Sequence, residues 1–215
     1  MAQRTYEDAC RIALTMDLVG ERWALLVVRE LIFGPKRFRD LRVGLPKASQ
    51  NVLSQRLREL EEDGIVRRVE LGPPVSAHVY ELTERGRQLE PVLIALSRWG
   101  ASIPAPQGAE ASTDAFMFLF KALPLPPARE VPTLAVRLVV GADSFDVEVS
   151  PTSVEITRGA RAHVQATVRA DVATLWELIF TDLTVAAAVD AGTLDLTGDR
   201  SVAQRFFTLF GSTPT

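Results

Sequence analysis

The dominant spacing of apolar residues changes across the proline-rich stretches between Ala101 and Pro132. Upstream of them apolar residues recur at helical spacing. Downstream, Thr133 to Val140, Phe145 to Ser150, Ser153 to Thr157 and Ala162 to Ala170 alternate apolar with polar, the period of a strand. A chain of 215 residues is long enough for two ordinary domains. The change of period therefore predicts an α+β protein with a mostly helical domain over 1–100 and a sheet-and-helix domain over 114–211. Residues 101–113 serve as a linker; ASIPAPQGAEAS is rich in Ala, Pro, Ser and Gly and carries no periodic pattern.

Within the first part, Glu7 to Val19 reads as a helix ended by Gly20. Arg22 to Phe33 reads as a second helix, apolar almost all round and therefore central, closed by Gly34 and Pro35. Arg37 to Val43 is short, and Gly44, Leu45 and Pro46 turn the chain into SQNVLSQRLRELEED. On a helix, Leu53, Leu57 and Leu60 of that stretch share one stripe, and Asn51, Gln55 and Arg58 lie opposite. Ser49 is the expected N-cap and Gly64 the expected stop. Helix, tight turn, helix is the arrangement in which the second helix enters a DNA major groove. The strands Ile65 to Leu71 and His78 to Leu82, joined by a long tip, then read as a wing beside it, with Arg67 and Arg68 at its base. Thr83 caps a last helix running to Trp99.

The free stripe carries the chemistry for such a role. Asn and Gln present a donor beside an acceptor, which suits an adenine edge, and Arg forks onto guanine or phosphate. Lys36, Arg37, Arg39, Arg42, Lys47, Arg56 and Arg58 face a single acid, Asp40, over the same region. The whole chain has a net charge of -3, but unevenly placed: residues 1–100 hold 16 Lys and Arg against 14 Asp and Glu, and residues 101–215 hold 8 against 13. The basic excess is therefore local, where a phosphate backbone would feel it. A single cysteine excludes an internal disulfide framework, and no segment reads as a signal peptide or a membrane span. The expected setting is cytoplasmic, with no membrane partner.

The strings CRIALTMDLVGERWALLVVRELIFGPKRF, DLRVGLPKASQNVLSQRLRELEEDGIVRR and VYELTERGRQLEPVLIALSRWG resemble, in order and spacing, the HxlR-type winged helix-turn-helix transcriptional regulators, relatives of the MarR group. The resemblance implies a homodimer on double-stranded operator DNA, joined through residues 5–19 and 84–99. It places Ser49, Gln50, Asn51, Ser54, Gln55 and Arg58 toward the groove and Lys36, Arg37 and Arg39 on phosphate. It also implies a redox-sensing role for Cys10, although Arg11 stands where the family has proline. The alternative for Cys10 is a small buried apolar filler.

In the second part, Asp114 to Leu123, Asp171 to Phe180, Thr184 to Ala191 and Asp199 to Phe210 read as helices and Thr193 to Thr197 as a further strand. The strings VRADVATLWELIF and AGTLDLTGDRSVAQRFFTLF resemble the sterol carrier protein type 2 fold over about residues 115–211. That resemblance implies a lipid or other apolar small molecule held among Phe116, Phe120, Trp176, Phe180, Phe206, Phe207 and Phe210. The same seven residues read equally as a filled core. His78 and His163 are the only histidines, and with Cys10 far from both they assemble neither a metal site nor a nucleophile and base, so no cofactor and no enzymatic activity are expected. Three functions follow: a regulator controlled by an apolar effector, a regulator whose second domain only oligomerises, and a lipid carrier with an incidental helix-turn-helix.

Overall fold

The computed structural model describes residues 5–72, 77–104, 106, 108, 110–125, 131–159 and 163–211, and the chain divides into two compact units, 1–103 and 104–215. The first is helical with a hairpin. Its elements are α1 (Arg11–Val19), α2 (Ala24–Leu31), α3 (Phe38–Gly44), α4 (Gln50–Glu62), β1 (Val66–Leu71), β2 (Ala77–Leu82), α5 (Glu84–Arg87) and α6 (Glu90–Trp99). Val27, Val28 and Leu31 of α2 pack with Leu41, Leu53, Leu57, Leu60 and Leu82, all at most 1% exposed. The core therefore sits where α2 meets α3, α4 and the hairpin.

Three departures of these helices from the periodicity have a local cause. α1 begins at Arg11 and not at Glu7, because Glu7 lies at φ +50° and the Asp8 carboxylate accepts the Cys10 amide, which gives the backbone a local alternative to the helix. α2 begins at Ala24 and not at Arg22, because Trp23 adopts the left-handed region at φ +81°. The single helix expected after Thr83 is two. Pro91 has no N–H to give the Arg87 carbonyl and its ring would meet that carbonyl, so the chain turns at Gln88 and Leu89 before α6 starts.

The second unit holds α7 (Thr113–Ala122), β3 (Leu134–Val140), β4 (Asp143–Val149), β5 (Val154–Arg158), β6 (Ala166–Arg169), α8 (Val172–Phe180), α9 (Val185–Asp190), β7 (Asp195–Gly198) and α10 (Arg200–Gly211). The sheet order is β5-β4-β3-β6-β7. The β3–β4, β4–β5 and β6–β7 pairs are antiparallel, and β6 lies parallel to β3. A two-residue turn joins β3 to β4, with Gly141 at φ +59° where a side chain would be strained. β6 is shorter than the expected Ala162 to Ala170, and Ala162 lies outside the described residues. No helix among the described residues is long and apolar enough to cross a membrane.

Candidate nucleic-acid interface

The turn between α3 and α4 is pinned from inside. Leu45 and Ala48 are buried within it, the Leu45 amide donates to the Leu41 carbonyl at 2.9 Å, and the Ala48 amide donates to the Leu45 carbonyl at 3.0 Å. Ser49 then caps α4 by accepting the Val52 amide. These anchors fix the direction in which α4 leaves the turn.

On α4 itself, Leu53, Leu57 and Leu60 are buried, while Gln50, Asn51 and Arg58 are exposed and Ser54 and Gln55 half-buried. The polar ridge is therefore uncovered in the first unit. Gln55 has a partner on its own helix, its Nε2 donating to Glu59 Oε1 at 2.9 Å. Glu59 also meets the Arg56 guanidinium, and Arg56 is only 9% exposed, with Glu21 at 3.9 Å on its other side.

The seven cations counted around this helix do not all face outward. Lys36, expected on phosphate, is turned inward, its Nζ 2.7 Å from Glu30 Oε2, and Glu30 is fully buried. A carboxylate with no water around it needs a cation close by, and Arg29 supplies a second at 2.8 Å. Arg56 is likewise engaged. Exposed cations around the turn and helix are Arg39, Arg42, Lys47 and Arg58, with Arg37 half-buried at the start of α3, where its amide donates to Asp40. Arg39 lies 3.3 Å from Asp40 and remains 75% exposed.

The wing is a three-stranded ribbon in part, because Lys36 and Tyr80 exchange backbone hydrogen bonds at 2.9 and 2.8 Å, which ties the segment before α3 to β2. Arg67 stands opposite Glu81 and is held by it at 2.6 Å, and Arg68 is exposed. The tip residues Pro73 to Ser76 lie outside the described residues. At the foot of α4, burial pushes the Asp63 carboxyl above its usual range, and the neighbouring Arg85 guanidinium opposes that while donating to the Asp63 carbonyl.

Two side-chain partners of these residues had not been expected from the sequence. Glu59 stands four residues after Gln55 and three after Arg56, the spacing at which helix side chains meet, so it was there to be found. Glu30 had a weaker mark, the lone acid of a helix that is apolar apart from it and Arg29.

Elsewhere, Cys10 is exposed at the N-terminal end of α1, so it does not fill a core in the single chain. In the second unit, Phe116, Phe120, Phe206, Phe207 and Phe210 are at most 2% exposed. They meet edge-to-face or tilted, with Phe120 5.5 Å from Phe206 and 4.8 Å from Phe210. Trp176 and Phe180 stand apart from them in exposure, at 42% and 41%, with their rings 4.5 Å apart. Phe116 lies beneath, 6.3 Å from Trp176. Arg158 binds Asp114 and Asp143 and covers the Phe145 ring. Among the described residues no group of three or more His, Cys, Asp or Glu is placed to hold a metal ion.

The family model described as HxlR-like helix-turn-helix matches residues 18–107. The HTH-type transcriptional regulator YdeP of Bacillus subtilis is 42% identical over 94 residues, which are 43% of this chain and 73% of that protein. YybR of the same organism is 38% identical over 99 residues, 45% of this chain and 77% of that protein. Among solved structures, the reduced form of the regulator YodB from B. subtilis is 34% identical, covering 46% of this chain and 98% of that one with a TM-score of 0.41. The family model ends before α7, so the second unit from Thr113 onward lies outside it.

Proposed function

The chain belongs to the HxlR-like helix-turn-helix family of DNA-binding transcriptional regulators, and on that footing we propose that α4 reads its operator through Gln50, Asn51, Ser54, Gln55 and Arg58. The observation that carries this is the uncovered polar ridge on α4 opposite three buried leucines. Arg37, Arg39, Arg67 and Arg68 flank it and serve the phosphates, which position the protein without reading sequence. Replacing Asn51, Gln55 and Arg58 together by alanine leaves the fold intact, since none of them is in the core. The expected result is loss of discrimination between the target and a scrambled duplex in competition binding. A triple variant that still chose its target as well as the parent would overturn the assignment.

Dimerisation belongs to the same proposal. Ile12 on α1 and Trp99 on α6 are 72% and 77% exposed, and Val92 and Leu96 are also exposed, a pair of apolar faces that a second copy would cover. A two-fold dimer then presents two α4 helices to half-sites about 34 Å apart.

For the second unit the proposal is a sensor of an apolar small molecule, supported by the resemblance of the strings VRADVATLWELIF and AGTLDLTGDRSVAQRFFTLF to the sterol carrier protein type 2 fold and by the half-exposed Trp176 and Phe180 over Phe116. An effector that favours one arrangement of the dimer shifts the population and so the DNA affinity. The five mutually packed phenylalanines favour a second reading, in which this unit has a filled core and serves only assembly. Mass spectrometry of the purified protein for co-purifying apolar molecules, followed by operator binding with and without them, separates the two.

A further inference from the structure

A glutamine amide has the same outline whichever way round it lies, so a free Gln presents donor and acceptor in either order to a base pair. Gln55 is not free in this way. Its amide nitrogen is bonded to Glu59, and a carboxylate only accepts, so the reversed amide would set two acceptors against each other. Glu59 is itself held from the inner side by the nearly buried Arg56 guanidinium.

We propose that Glu59 is a positioning residue for base reading: backed by Arg56, it fixes the orientation of the Gln55 amide before DNA arrives. The inference rests on the reading of α4 as the groove-entering helix. With one N–H committed to Glu59, Gln55 keeps its carbonyl and its second N–H, in a set order. That is the pair which meets N6 and N7 of adenine. A carboxylate beside the groove would ordinarily repel phosphate, and the contact with Arg56 offsets that charge locally. Holding a side chain with three rotatable bonds in advance also removes part of the ordering cost of binding.

The test uses the full chain. Base preference at each operator position is measured by competition for Gln55→Ala, Glu59→Ala, and Glu59→Ala combined with Arg56→Met. The last variant removes the guanidinium that Glu59→Ala would leave under-paired, and thermal melting establishes that it is folded. The expected result is a loss of preference of roughly tenfold at one base pair, the same one in all three variants. The salt dependence of non-specific binding stays at or above that of the parent. If Gln55→Ala flattens one base pair while both Glu59 variants keep the parent's preference, the inference fails and the groove reading survives. If Gln55→Ala leaves every preference intact, and the triple alanine variant does too, both fail.

Discussion

Glu30 is a buried charge on which part of the first unit is built. It is fully buried, with Arg29 at 2.8 Å and Lys36 at 2.7 Å, and Lys36 is itself only 10% exposed. Replacing Glu30 by alanine leaves that ammonium buried without its carboxylate, and the expected cost is about 3–5 kcal/mol of stability, read from denaturant midpoints. Gly44 is bound to the same arrangement, because a Cβ there would overlap the Glu30 carboxylate. The cation contacts hold that carboxylate in place, so Gly44→Ala should cost about 1–3 kcal/mol, in the range of overpacking a core. Both substitutions lie off the polar ridge of α4, so their effect on operator choice should follow stability alone.

At the scale of the helices, termini carry the testable chemistry. Ser49 caps α4 with a hydrogen bond of 3.4 Å, at the long end of the range, so Ser49→Ala should cost about 0.5–1 kcal/mol. Asp171 caps α8 more tightly, accepting the Thr174 amide at 2.7 Å, and hydrogen bonds from Thr174 hold its carboxyl below the usual value. A folded-state pKa lowered in this way stabilises the protein above the unfolded value, near pH 4, and that contribution is lost as pH falls through the folded value. Asp171→Asn keeps a cap but cannot titrate. Urea unfolding should therefore show the parent more stable than the variant at pH 7 and the gap closing below about pH 4. A gap that persists unchanged into acid would mean that the carboxylate charge contributes nothing.

Across the whole molecule, charge and exposed apolar surface decide how the chain meets its partners. The first 100 residues carry a small positive excess and the remainder a larger negative one. DNA binding should therefore be strongly salt-dependent despite the overall charge of -3. Arg39→Ala should weaken binding to all duplexes about equally and reduce the logarithmic salt slope by about 1. Lys36→Ala should instead register chiefly as lost stability, because its ammonium is directed at Glu30. If α1 and α6 form the interface between copies, Trp99→Asp should shift sedimentation toward the monomer and weaken operator binding, since two half-sites are no longer held together.

The boundaries of α4, the buried leucine stripe and the switch from helical to alternating period were all legible in the sequence. Each follows from local geometry: a capping hydroxyl, a 3.6-residue repeat, a strand's alternation. The antiparallel run β3-β4-β5 was legible from its short turns, but β6 lying parallel to β3, with β7 beyond it, was not, because pairing between distant segments leaves no local mark. Residue types likewise announced a basic region but could not say which cations face out. Lys36 and Arg56 carry the same charge as Arg39 and Arg58, and only the packing of α2 and the neighbouring acids turned the first pair inward. A charge is a property of the side chain. Its availability is a property of what the folded chain sets beside it, and that is decided only in three dimensions.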